Sequence, residues 1–171
     1  GRSAGWSSTL AQFARALDYL AAKTGPVQAV VGHSMGGSAA LFAASRGLRS
    51  AGVVTLGSPA SLVQVTRDYA QAFGLAEATR RAMVARIESR EAIVFEQMEP
   101  GHVAPRVPQP CLVVHDRDDL TVPVQEAEAW AAGLGDSRLM LTSGLGHRRL
   151  LQDPGVVIEV VGFVRELRPA R

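Results

Sequence analysis

One cysteine, Cys111, and one lysine, Lys23, stand in a chain of 171 residues. A lone cysteine excludes an internal disulfide framework and fits a reducing compartment, so the cytoplasm is the expected location. Cys111 itself reads as a small buried hydrophobe at the start of a strand. No apolar run approaches the ~20 residues that a membrane-spanning helix needs, so no bilayer crossing is expected. Lysine is so scarce that 17 of the 18 basic residues are arginine. They are scattered, and the formal charge is only +2, which argues against a nucleic-acid footprint. The four histidines show no ligand spacing such as His-x-x-x-His, so no zinc site is expected. Gly1-Arg2-Ser3 does not itself have the charged or apolar character of a targeting segment.

What is present has the composition of one globular domain, with 47% hydrophobic and 20% charged residues, and enough length to bury a core. Ser7-Ser8-Thr9 offers helix caps, after which Leu10, Phe13, Leu17 and Leu20 recur at helical spacing until Gly25-Pro26. Val27 to Val31 reads as a strand buried on both faces. A helix over Ala39 to Ser45 and a strand over Val53 to Leu56 follow, the strand closed by Gly57-Ser58-Pro59. From Ser61 to Met98 two helices are expected. Leu62, Val65, Tyr69, Ala72 and Phe73 mark the first; Leu75, Met83 and Ile87 mark the second, with Arg80, Arg81 and Arg86 on its wet face. Pro100, Pro105, Pro108 and Pro110 predict a stiff connector without helix or central strand. Leu112 to His115 resumes the strand pattern, Pro123 to Leu134 is a helix, Leu139 to Leu141 a last strand and Val156 to Leu167 a closing helix.

Strands alternating with helices predict an α/β fold, a mainly parallel sheet with helices on both faces. Residues 1–171 form a single core, and 61–98, too long for a plain crossover, are expected to be a helical cap inserted in it.

The strongest local signal is Gly32-His33-Ser34-Met35-Gly36-Gly37, directly between a strand and a helix. A serine in so tight a turn takes a strained backbone conformation, and glycines two residues before and after it, Gly32 and Gly36, remove side chains that would collide with neighbouring backbone. The hydroxyl is left above the carboxyl end of the sheet. The following helix aims its positive end there, and the Met35 N–H is a candidate oxyanion donor. The alternative is that Ser34 merely caps the helix.

A serine nucleophile needs a base oriented by a third group. His33 occupies the variable position of the turn and cannot easily fold back on its neighbour, His102 reads as a solvated loop residue, and His115 as a satisfied core histidine. His147, in Ser143-Gly144-Leu145-Gly146-His147, follows the last strand on a loop able to carry its imidazole over the sheet. After the preceding strand, His115-Asp116-Arg117-Asp118-Asp119-Leu120-Thr121-Val122-Pro123 holds three aspartates, candidate acids or solvated turn residues. The order serine, acid, histidine is similar to that of the α/β-hydrolase superfamily.

These segments resemble the α/β-hydrolase superfamily. Gly32 to Gly37 is similar to its nucleophile elbow, Gly146-His147 to its base loop, and Asp119-Leu120-Thr121-Val122-Pro123 to its acid loop, which selects Asp119 over Asp116 and Asp118. The resemblance implies a serine hydrolase acting through an acyl-enzyme on Ser34, with His147 as base and Asp119 as orienting acid, on a small-molecule ester or acyl substrate and without metal or organic cofactor. An acyltransferase using the same residues and an inactive interaction module are the alternatives; a dehalogenase, which uses an aspartate nucleophile, is disfavoured by Ser34. Substrate-contacting residues stay open, with Leu62, Tyr69, Phe73 and Phe95 as candidate pocket lining and core packing as their competing role. Trp130 reads as structural.

The chain departs from the family pattern in beginning one helix before the elbow. It resembles the carboxyl-terminal two-thirds of a hydrolase, and the loop carrying the family's first oxyanion donor would precede it, with Gly1-Arg2-Ser3 as its trailing edge. A truncated sequence is expected, with half of a split enzyme or a sheet completed between chains as alternatives. Val27–Val31 would then be an open apolar edge, a route to self-association.

Overall fold

In the computed structural model, residues 8–168 are described. Within them the sheet has four strands, β1 (Val30–His33), β2 (Val53–Leu56), β3 (Cys111–Asp116) and β4 (Ser137–Thr142), all parallel and in the order β1-β2-β3-β4. The helices are α1 (Leu10–Thr24), α2 (Met35–Ser45), α3 (Leu62–Ala72), α4 (Glu77–Glu91), the single turn α5 (Pro100–Val103), α6 (Val124–Gly133), the single turn α7 (Gly146–Arg149) and α8 (Pro154–Glu166). No helix among the described residues is long and apolar enough to cross a membrane.

Alternation along the strands builds a core on each face of the sheet. Val53, Cys111 and Val113 face a cluster formed with α1, α2 and α6, in which Leu10, Leu41, Phe42 and Trp130 are buried. Val54, Leu56, Leu112 and Val114 face the opposite way, onto Val156, Phe163 and Leu167 at α8. Trp130 is structural as expected, its Nε1 donating to the Pro59 carbonyl at 3.1 Å. Cys111 is buried at the head of β3, and burial, with Asp136 nearby, pushes its thiol up to about 12.

Local chemistry explains most boundaries. Thr9 caps α1 through a reciprocal pair with Gln12, and Gly25, at φ 80°, ends it. Ser7, the first of the expected caps, lies outside the described residues. β1 starts at Val30 rather than Val27, because its register begins with Val30 opposite Val53; Val27 makes only an isolated bridge to Ser50. β1 has β2 on one side and, among the described residues, no strand on the other. Val31 on that edge is 50% exposed.

The proline connector also differs from expectation. Pro100 opens α5 at a first-turn position where its missing N–H removes no hydrogen bond, so a short helical turn forms there after all. Between β2 and β3, α3 and α4 lie against the α1/α2 core, into which Leu62, Phe95 and Met98 are buried. Arg80 does not face solvent. It is buried, because its guanidinium is matched by Glu77, at 2.7 Å through two nitrogens, and by the Thr66 hydroxyl at 3.0 Å. Glu91, buried at the end of α4, pairs with Arg15 of α1 and Arg90. The Arg15 hydrogen bond holds its carboxyl below the usual carboxylate range despite burial.

Candidate functional site

The site forms where β1, β2, β3 and β4 deliver their carboxyl ends. Ser34 sits between β1 and α2 with φ 54° and ψ −132°. It is one of two non-glycine residues with positive φ among those described, the other being the helix-ending Ala92. The strain is held by neighbours: the Ser34 N–H donates to the Leu56 carbonyl at 2.9 Å, and the Gly37 N–H to the Ser34 carbonyl at 3.0 Å. Although Ser34 occupies the N-cap position of α2, its hydroxyl makes no capping hydrogen bond. The simple cap reading therefore fails. Met35 opens the helix, so its N–H has no intrahelical acceptor.

The close approach that makes this turn possible involves Gly32, as expected, but Gly37 in place of Gly36. A Cβ on Gly32 would lie 2.5 Å from backbone atoms of Gly36 and Gly37. One on Gly37 would lie 2.1 Å from the Ser58 hydroxyl, whereas one on Gly36 would meet nothing within 4 Å. Gly32 is thus needed for the elbow, Gly36 is not, and Gly37 takes the role assigned to it by bringing α2 against the loop after β2.

Asp119 and His147 meet beside Gly57, just past the end of β2. The His147 Nδ1 donates to Asp119 Oδ2 at 2.7 Å, leaving Nε2 free of that bond. Asp119 Oδ1 accepts from the N–H groups of Thr121 and Val122 at 2.7 and 2.9 Å, and the carboxyl is buried. Gly57, at φ 56°, passes so close that an added Cβ would lie 3.2 Å from His147 Nδ1 and 3.4 Å from Asp119 Oδ2. Because Leu56 also holds the Ser34 N–H, the end of β2 joins the elbow to the imidazole–carboxylate pair.

Asp116, passed over in favour of Asp119 and open to reading as a solvated turn residue, is not solvated. It is fully buried and accepts from the Thr142 hydroxyl at 2.7 Å and from the N–H groups of Gly146, Leu145 and Asp118 at 2.9, 3.1 and 3.0 Å. Burial alone would raise its pKa, but these four donors outweigh it and hold the carboxyl below its ordinary value. Asp118, exposed, accepts from the Gly144 N–H at 2.7 Å. The loop carrying His147 thus hangs from β3, and His147 itself lies in the helical turn α7 rather than in open loop.

A carboxylate held below its unfolded-state pKa stabilises the fold above that value and loses its contribution as pH falls through the folded one. Stability is therefore expected to be level above about pH 5 and to fall below about pH 4, with Glu91 contributing in the same direction. Asp116→Asn should lower stability by about 1–3 kcal/mol at pH 7 and make the acid decline shallower. Urea unfolding at pH 7, 5 and 4 checks this; an unchanged acid slope in the variant would count against it.

The remaining histidines differ in part from their readings. His115 is buried and its Nε2 donates to the Val122 carbonyl at 2.8 Å, but its Nδ1 has no partner, so it is only half satisfied. His102 lies half-buried in α5 rather than in a solvated loop. His33 packs on His147, with ring centroids 4.6 Å apart. Sequence reasoning also missed Glu126, whose carboxylate accepts from the Ala60 and Ser61 N–H groups at 2.6 and 2.8 Å and ties α6 to the loop after β2. Its one signal was an acidic residue in the first turn of a helix.

An apolar pocket of about 130 Å³ lies beside the elbow, lined by Met35, Leu62, Val65, Ile87, Phe95 and Met98 among others. Leu62 and Phe95 both line this pocket and pack into the core, so neither of their two readings displaces the other. Tyr69 and Phe73 are not part of the lining; both are exposed, stacked on each other at 4.6 Å. A wider hollow of about 550 Å³ lies at the amino ends of the strands, by Ser50, Cys111 and Arg138, remote from Ser34. The oxyanion-loop role expected for Gly1-Arg2-Ser3 falls on residues outside those described.

With this geometry in view, the chain belongs to the alpha/beta hydrolase family, whose sequence model matches residues 1–160. Solved structures share the fold. An esterase, RhEst1, from Rhodococcus sp. ECU1013 superposes with a TM-score of 0.70 at 19% identity, covering 98% of this chain and 78% of that one. CarC, a serine hydrolase involved in carbazole degradation, gives 0.64 at 23% identity, covering 98% and 76%. A monoacylglycerol lipase from Paleococcus ferrophilus gives 0.63 at 19% identity, covering 92% and 74%. No curated protein sequence matches the chain.

Proposed function

We propose that the protein is a serine hydrolase cleaving carboxylic esters with short acyl groups. The Ser34 hydroxyl attacks the ester carbonyl carbon while His147 Nε2 takes its proton. The tetrahedral oxyanion is met by the Met35 N–H at the positive end of α2. On collapse the carbon–oxygen bond to the alcohol breaks, and the imidazolium returns the proton to the departing alkoxide. His147 then deprotonates water, which attacks the acyl carbon and releases the acid and free Ser34. Throughout, Asp119 keeps the proton on Nδ1, so that Nε2 is the basic nitrogen, and stabilises the imidazolium.

The observation that carries this reading is the backbone of Ser34: a non-glycine residue at φ 54° in a helix-capping position whose hydroxyl does no capping. Strain of this kind persists at functional sites because the surroundings enforce it. The preference for short acyl groups rests on the pocket of about 130 Å³ at Met35, close to the ~150 Å³ apolar cavity that holds benzene, so acyl groups of about six carbons or fewer fit.

A fluorophosphonate probe read by intact mass tests the chemistry. One adduct on the wild type and none on Ser34→Ala is the expected result; no adduct on folded wild-type protein would overturn the reading. Among p-nitrophenyl esters from acetate to dodecanoate, kcat/KM should peak at or below hexanoate.

A further inference from the structure

The residue before Ser34 is tied to the loop that carries His147. His33 ends β1 opposite Leu56, and its Nε2 lies 2.9 Å from the carbonyl oxygen of His147. Since a carbonyl only accepts, Nε2 carries the proton and donates. The two imidazoles also touch, with centroids 4.6 Å apart and planes tilted by 46°, inside the range of favourable aromatic pairs.

That carbonyl has reason to need a donor. α7 spans four residues, and the Leu151 N–H, which would close an α-helical bond onto His147, goes instead to Arg148 at 3.2 Å. The segment before it turns through Gly144 and Gly146, at φ 79° and 64°, conformations that glycine adopts without strain. The contacts with Asp116 and Asp118 stop at Gly146. Past that point, the side chain of His147 is held at Nδ1 by Asp119 and its main chain by His33. Two anchors, one on the ring and one on the backbone, fix the imidazole in position as well as in tautomer.

We infer that His33 is a positioning residue: it fixes the base against the nucleophile by joining the elbow strand to the His147 backbone and by buttressing the His147 ring. This rests on the proposed role of His147. One side chain thereby makes the Ser34–His147 spacing a property of β1, since His33 and Ser34 are consecutive. A displacement of about 1 Å in such a pair can lower the rate about 10²-fold.

Two variants separate the contributions. His33→Phe keeps a ring and loses the donor; His33→Gln keeps an amide N–H near the place of Nε2 and loses the ring. For p-nitrophenyl acetate, His33→Phe should lower kcat about 10–100-fold with KM within about threefold, and His33→Gln should recover most of the loss. Melting temperatures of both should stay near wild type. Proton NMR gives a readout that needs no turnover: the His147 Nδ1–H, bonded to Asp119, should be a sharp downfield resonance in wild type, broadened or lost in His33→Phe and restored in His33→Gln. Persistence of that resonance in His33→Phe overturns the inference whatever happens to kcat, and so does failure of His33→Gln to restore it. Should wild-type protein take up no fluorophosphonate, the hydrolase reading falls and the resonance alone decides whether His33 holds His147.

Discussion

Ser34→Gly is expected to melt at a higher temperature than the wild type while losing its hydrolytic activity. A non-glycine residue at φ 54°, ψ −132° carries a penalty of about 1–3 kcal/mol. Glycine has none, because it has no Cβ to collide with the neighbouring carbonyl. The exchange loses no hydrogen bond within the chain, because the Ser34 hydroxyl makes none in its capping position. For a chain of this size the gain corresponds to a rise in Tm of roughly 2–12 °C. Activity should fall by on the order of 10⁴–10⁶ in kcat, the loss typical of removing a triad nucleophile. Ser34→Ala separates the two effects. It is equally inactive but keeps a Cβ, so its Tm should stay near that of wild type. Calorimetry on the three proteins, beside ester hydrolysis, checks the pair of effects. A Ser34→Gly protein less stable than wild type would mean that the turn is not the strained element described.

The second large effect separates two glycines of one motif. Gly32→Ala puts a methyl group 2.5 Å from the Gly36 carbonyl group and the Gly37 Cα. These are backbone atoms in the first turn of α2 and cannot rotate away, so β1 and α2 must separate. The expected loss is about 3 kcal/mol or more, at the upper end for overpacked cores. Gly36→Ala meets nothing within 4 Å and replaces glycine in a helix, so it should stabilise by about 0.5–1 kcal/mol. Urea unfolding of both variants gives the comparison directly. Equal losses would show that the second glycine is also held by packing.

Much of the architecture was legible beforehand because apolar runs and punctuation coincide. Val53–Leu56 was placed to the residue, and the other strands and the helices longer than one turn within a few residues, since glycine, proline and hydroxyl caps mark their ends; the single turns α5 and α7 were not foreseen. Ser34 and His147 were singled out by the segments they sit in, Asp119 by its resemblance to the acid loop of the family, and the structure brings Asp119 and His147 within 2.7 Å. What stayed hidden depends on which side chains face one another across long stretches of chain. Asp116 looked like one of three turn carboxylates; its burial depends on N–H groups some thirty residues later turning toward it. Arg80 read as a surface charge because its partner Thr66 lies on another helix. His33 was set aside because it cannot reach Ser34, and its real contact is with a loop formed after β4. The choice between Gly36 and Gly37 turned on the position of Ser58, which no local pattern encodes.

The all-parallel sheet also bears on the order of assembly. Among the described residues there is no hairpin to start from; the register closest in sequence joins Val30 to Val53, and each strand waits for a crossover to be laid down. Contacts so distant along the chain make for slow folding. The Ser34 N–H reaches its acceptor, Leu56, only once β2 lies beside β1. The strained serine is therefore a late product of folding: until the sheet has closed, nothing compels that residue out of the relaxed backbone that any serine prefers.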